Sequence, residues 1–254
     1  MVYSSLTEAP RNLKEGIDWL MALKGTDDEN GLKAMSAALY DFLAQQPVGK
    51  MELPALEEVK LISKEFLEQK ELKYQPFVED LLGRFNKPMN KNLSGCAKYL
   101  DNSDESDHEN VVKSRGVKPK DIAKNIVKVV DGCAQFLEKI KNPGQYESAY
   151  SSEATWDTSC SKDPEACVVI LVGIAPMLYA GLRSLRIASN TTPLSRLGCH
   201  NKKIKLVSVL KALGYEEAER RAKMSGSDVF KALKSVSHEM LVTLYDIAGF
   251  WAFY

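Results

Sequence analysis

Five cysteines and three histidines are the side chains from which redox, metal or nucleophilic chemistry would have to be built in this chain of 254 residues. Cys160 and Cys167 stand closest to a recognisable arrangement. Within SSEATWDTSCSKDPEAC they flank the start of the most apolar segment of the protein, and the stretch between them is short enough to close if the chain doubles back. Two outcomes stay open, an intramolecular disulfide or two reduced thiols. An odd cysteine count leaves at least one free or paired with another chain if the others are bridged. Cys133 falls on an apolar stripe, where a thiol behaves as a small hydrophobe. Zinc would need four ligands, and Cys160, Cys167, Cys199 and His200 are the local candidates. They show no C-x2-C spacing, and adjacent Cys199 and His200 are badly placed to share one tetrahedral ion. His108 lies in an acidic loop and His238 at a helix start, so neither has a nucleophile with a supporting motif. The glycine-rich phosphate loops, the nucleophile elbow and the H-E-x-x-H motif are absent from the sequence. The expectation is a protein without enzymatic activity, cofactor or metal.

Charge suggests a second kind of site. Lys plus Arg and Asp plus Glu both number 34, which removes the long-range field of a dedicated nucleic-acid binder. Residues 181–234 nevertheless hold twelve Lys and Arg against four acids. Within them Lys202, Lys203, Lys205, Arg220, Arg221 and Lys223 form a candidate anion patch for a glycan, a lipid headgroup or a nucleic acid, or else a solvated face. Tyr215 is the one aromatic ring nearby, so stacked bases are not favoured and no specific nucleic-acid partner is expected. Of the three tryptophans, Trp19 and Trp251 accompany apolar stripes, and Trp156 is the candidate for a recognition loop. Asn92 and Asn190 open glycosylation sequons.

The elements that must position these residues read as helices. No alternating window insists on a strand, and the expected fold is all-α, an irregular bundle of about eight to ten helices around a kinked apolar central helix. The chain is long enough to bury roughly 70–75% of its unfolded surface without staples. It forms one helical domain over 1–254, or two closely packed subdomains over 1–100 and 118–254. Leu13, Ile17, Leu20 and Met21 make one stripe, ended by Gly25 and followed by a capping box from Thr26 to Glu29. Leu32, Met35, Leu39, Phe42 and Leu43 make the next. Further helices open at Pro54, Pro76 and Pro119, the last carrying the clean stripe Ile122, Ile126, Val129, Val130, Cys133, Phe136, Leu137 and Ile140. Residues 86–118 read as a solvated loop with short helices around 96–100 and 108–113. Asp163 and Pro164 predict a capped helix start. Cys167 to Leu182 then carries no charge, which suits a buried core helix or, less comfortably, a membrane span. Pro176 should kink it. Ile204, Val207 and Leu210 predict a short helix, Val229, Leu233 and Val236 another, and Met240, Leu244, Ile247 and Trp251 a final one from Ser237. The first residues, MVYSSLTEAP, lack a secretory signal pattern.

The opening LTEAPRNLKEGIDWLMALKG, residues 6–25, resembles the N-terminal signature of the variant erythrocyte surface antigen family of Babesia parasites. The blocks KLISKEFLEQ at 60–69, GRFNKPMNKN at 83–92, SAYSSEATWDTSCSKDPEAC at 148–167, GIAPMLYAGLRSLR at 173–186 and YDIAGFWAFY at 245–254 are similar in character. The resemblance implies a protein displayed at the infected red-cell surface or secreted, acting in adhesion through host or partner proteins and varying antigenically. It carries over no catalytic residues. Family members are longer and bear a membrane anchor, so the chain reads as a short relative, a secreted form or an N-terminal domain. Variation would sit in 101–118 and 188–202, where exposed loops tolerate change. The alternative is a cytoplasmic helical module that binds an anionic ligand through the basic patch.

Overall fold

Four helices begin with proline at their first position, Pro54, Pro76, Pro119 and Pro164, where the missing N–H is one of the donors a helix start leaves unpaired anyway. The structure, a computed structural model, describes residues 2–25, 30–87, 105–190 and 205–254. Its helices in chain order are α1 (Leu13–Lys24), α2 (Asn30–Gln45), α3 (Pro54–Leu67), α4 (Pro76–Asn86), α5 (Val111–Ser114) and α6 (Pro119–Ile140). They continue with α7 (Trp156–Ser159), α8 (Pro164–Ser189), α9 (Leu206–Ala212), α10 (Gly226–Ala232), α11 (His238–Ile247) and α12 (Phe250–Phe253). Single 3-10 turns occupy Glu105–Asp107 and Leu233–Ser235. Among the described residues there is no strand, only isolated bridges between Tyr3 and Tyr150 and between Lys141 and Arg220. The fold is all-α, as expected. The predicted capping box at 26–29 and the short helix at 96–100 lie outside the described residues.

The centre of the bundle is α8. Asp163 caps it by accepting from the amide of Ala166, and the helix continues through Pro176 to Ser189. Its apolar side chains point all round, from Val168 and Leu171 to Met177, Leu178 and Leu182, so a single partner could not cover them. It is long and apolar enough to cross a membrane by length and composition, and here 83% of that window is buried inside the bundle. Helices α1, α2, α3, α4, α9, α10 and α11 all pack against it. Helix α6 is a second spine, and α1, α2, α10 and α11 touch both spines. Its predicted stripe is buried from Ile122 to Ile140.

The most extensive contact with α8 is made by α3, and glycine makes room for it. A Cβ built on Gly173 would lie 2.5 Å from Cγ1 and 2.6 Å from Cβ of Val59. One turn further along α3, Ser63 donates its hydroxyl to the carbonyl of Gly173 at 2.5 Å. That bond serves the stretch where Pro176 removes the helical donor to the carbonyl of Val172. Small side chain, helix-interior proline and buried hydroxyl therefore form one packing unit.

Two sequence expectations need correction. Val207 is 62% exposed, and α9 buries Val209 alongside the expected Leu210. The predicted last helix stops at Ile247, because Gly249 takes a left-handed conformation (φ 63°) and starts α12 in a new direction. The turn drives Phe250, Trp251, Phe253 and Tyr254 into the core.

The N-terminal segment is knotted to the rest through polar groups. Trp19, fully buried, donates its indole N–H to the carbonyl of Leu6 at 2.8 Å, while the amide of Leu6 donates to Ser159 Oγ at 3.0 Å. Asp18 accepts from Tyr146 Oη at 2.5 Å and from the amide of Ala149 at 2.9 Å. Lys14 reaches the carbonyl of Glu147 at 2.8 Å and the carboxylates of Glu219 at 3.0 Å and Asp18 at 3.6 Å. Burial raises the Asp18 pKa, against the bonds from Tyr146, Ala149 and Lys14 that favour its charged form.

These contacts generate two expectations. Gly173→Ala should force α3 away from α8 and cost about 1–3 kcal/mol in urea unfolding. Combining it with Val59→Ala should give less than the summed single effects, because the second change removes the obstruction. An additive pair would show that the two helices do not meet at Gly173. The second expectation concerns alkali. Burial, reinforced by Glu15, pushes the Tyr3 phenol up to about 12 from its ordinary 10.0, and burial pushes Tyr146, Tyr150, Tyr215 and Tyr254 upward too. A folded pKa above the unfolded one contributes stability that is complete below pH 10 and lost as the pH rises through about 12. Tyrosinate absorbance for these phenols should therefore appear together with loss of helical circular dichroism, not before it.

Candidate anion-binding cleft

Cys160 and Cys167 form a disulfide, with Cα atoms 5.8 Å apart. Local chain geometry sets this up. Thr155 caps the single turn of α7, Cys160 ends it, and Asp163 with Pro164 starts α8, placing Cys167 in its first turn. Both cysteines are fully buried, and so is Cys133, the free cysteine among the described residues. Burial pushes the Cys133 thiol up to about 12, so it stays a protonated packing group. Trp156 is half-buried, and its Cβ would lie 3.0 Å from a Cβ added at Gly31 in α2. The residue therefore packs beside α2 while staying partly exposed. Asn190 ends α8 as its C-terminal cap.

Four residues of the predicted basic patch are among the described residues. Lys202 and Lys203 lie outside the described residues. Lys205 is exposed at the start of α9, and Lys223 is exposed with a left-handed backbone (φ 57°). Arg221 has a structural task. Its guanidinium donates to the carbonyls of Glu138 at 3.0 Å and Lys141 at 3.3 Å, serving acceptors that the end of α6 leaves open. The backbone of Arg220 bridges to Lys141, and its Nε is buried without a partner among the described residues.

A different group of cations converges. Three helices each present one face to a cleft of about 960 Å³. From α4 come Phe77, Asp80, Leu81 and Arg84; from α8, Tyr179, Arg183, Arg186 and Ile187; from α11, His238, Leu241, Val242 and Tyr245. The spacings of three, four and seven residues are those of neighbours on a helix surface. Aromatic faces hold the guanidiniums. Arg183 lies 4.4 Å over the ring of Phe77 and bonds to Tyr179 Oη. Arg84 lies 5.3 Å from the ring of Phe250 and pairs with the buried Asp107 at 2.8 Å, which Tyr245 Oη also contacts at 2.8 Å. The Arg84 pKa is raised despite its desolvation, because Asp107, Tyr245 and Asp80 favour the cation. Arg183 and Arg186 have no carboxylate partner among the described residues, and the one side-chain bond of Arg186 is a long one to the carbonyl of Val236, at 3.4 Å.

Comparison with protein families, curated proteins and solved structures finds no match to this chain.

An arginine stacked on a ring keeps its in-plane N–H fork for a carboxylate or phosphate. Sequence reasoning counted Arg183 and Arg186 in the basic segment without singling them out. The available signal was GLRSLR, two arginines three residues apart at the end of an otherwise apolar helix, while Arg84 and His238 belong to distant segments that only the fold brings near.

Replacing Cys160 and Cys167 together by alanine should lower unfolding stability by about 2–3 kcal/mol, the value for so short a loop when closure acts on the unfolded chain. The helical spectrum should persist, since the core is built without the bridge. Global loss of helix in that double variant would show the disulfide to be a condition of folding.

Proposed function

We propose that this chain is a non-enzymatic exported protein of a Babesia-type parasite, placed at the infected-erythrocyte surface or secreted, and acting in adhesion through host or partner proteins. The single observation that supports this reading best is the Cys160–Cys167 disulfide. Bridges of this kind persist in oxidising compartments and are rare where glutathione keeps thiols reduced. The similarity of the N-terminal segment to the variant erythrocyte surface antigens supports the same placement, and antigenic variation in exposed loops goes with it. The alternative, a cytoplasmic helical module using Lys202, Lys203, Lys205, Arg220, Arg221 and Lys223, has weaker support because Arg221 is engaged with the end of α6.

Antibody staining of intact, unpermeabilised infected cells should label the cell surface, or the protein should be recovered from the medium. Mass mapping of parasite-derived protein without reductant should recover Cys160 and Cys167 joined. Signal confined to the parasite cytosol, with both cysteines as free thiols, would overturn the proposal.

A further inference from the structure

We propose that the cleft between α4, α8 and α11 binds a small amphiphilic anion, its phosphate or carboxylate head on the guanidinium forks of Arg183 and Arg186 and its apolar body along Ile187, Leu241 and Val242. The inference is independent of where the protein acts. Three observations carry it. First, the volume of about 960 Å³ is that of a small-molecule site. Second, Arg183 is oriented by Phe77 and Tyr179, aromatic partners that leave its charge uncompensated, and Arg186 has no ion-pair partner among the described residues. Third, one wall is apolar and open: Ile187 is 47% and Val242 39% exposed, beside the nearly buried Leu241. Isolated exposed aliphatics are ordinary on a protein surface, but two of them lining the same cavity as two guanidiniums that have no carboxylate partner among the described residues match a ligand with both characters.

The surrounding charges fix the sign. Arg84, on the cleft wall, is paired with the buried Asp107, and the exposed Asp80 is the one carboxylate among the described lining residues. The C-terminal end of α8 contributes a partial negative charge, so an anion is held there only because the two arginines outweigh it. The N-terminal turn of α11, capped by Ser237 and carrying His238, contributes partial positive charge from the opposite side. A head carrying one or two negative charges is thus favoured over a cation or a neutral polar group.

The test titrates the whole chain with octyl phosphate below its micelle-forming concentration, using octanol and inorganic phosphate as comparators. Octyl phosphate should bind more tightly than either. Arg186→Gln, at an exposed position that should not disturb folding, should weaken it about tenfold, as expected for loss of a charge-assisted fork. Arg183→Gln should do the same, Arg186→Lys should lose less, Asp80→Asn should tighten binding, and Lys205→Gln should change nothing. Phosphatidic-acid vesicles distinguish the sources of the head. Retention on them that Arg186→Gln abolishes assigns a membrane lipid, and octyl phosphate binding without retention assigns a free amphiphile. The proposal fails if octanol binds as well as octyl phosphate, if inorganic phosphate alone binds as well, or if Arg186→Gln leaves affinity unchanged with its circular dichroism intact.

Discussion

A helix of 26 residues with no continuous polar face cannot sit at the surface of a protein in water, and the architecture follows from covering α8 on every side. Seven other helices among the described residues do this, which accounts for the irregularity of the bundle. Backbone polarity sets the limit on how such a helix can be built. Pro176 deletes one internal hydrogen bond in the middle of the core. The close approach at Gly173 lets α3 bring Ser63 to the next carbonyl, so the weakest part of the central helix coincides with its tightest contact.

Much of the fold was legible because helix punctuation is local chemistry. Pro54, Pro76, Pro119, Asp163 with Pro164, and Ser237 all mark helix starts as their residue types dictate. The stripe on α6 was legible for the same reason, since period and burial agree along its length. Val207 and the last helix were misread because an apolar residue at helical spacing says nothing about what faces it. Gly249 could have signalled the break, but GFWAFY continues an apolar pattern that periodicity alone extends through the glycine.

The segment LTEAPRNLKEGIDW takes on a physical meaning once the chain is folded. Leu6 offers both backbone groups, to Trp19 and to Ser159; Asn12 caps α1; Lys14 and Asp18 fasten the region 146–149 and Glu219. These residues form a buried polar joint between segments far apart in sequence. Such joints are demanding, because removing one partner leaves a buried group unsatisfied at a cost of about 1–3 kcal/mol, and more for a charged one. The residue types in this stretch are therefore constrained by packing and hydrogen bonding, whatever its role in recognition.

The cleft was hidden for a reason opposite to the one that made the lysine-rich run conspicuous. Charge runs are visible in sequence because they are local, yet Arg221 turns out to serve the end of α6, whereas Arg183 and Arg186 meet α4 and α11 only through the fold. The disulfide and the cleft also occupy opposite ends of α8. Cys167 and Arg183 are sixteen positions apart in the helix, roughly 24 Å at about 1.5 Å per residue. A largely buried stretch of helix lies between them, so breaking the bridge acts first on the junction with α7. The bridge and the cleft thus share α8 but lie near its two ends, on different neighbouring helices.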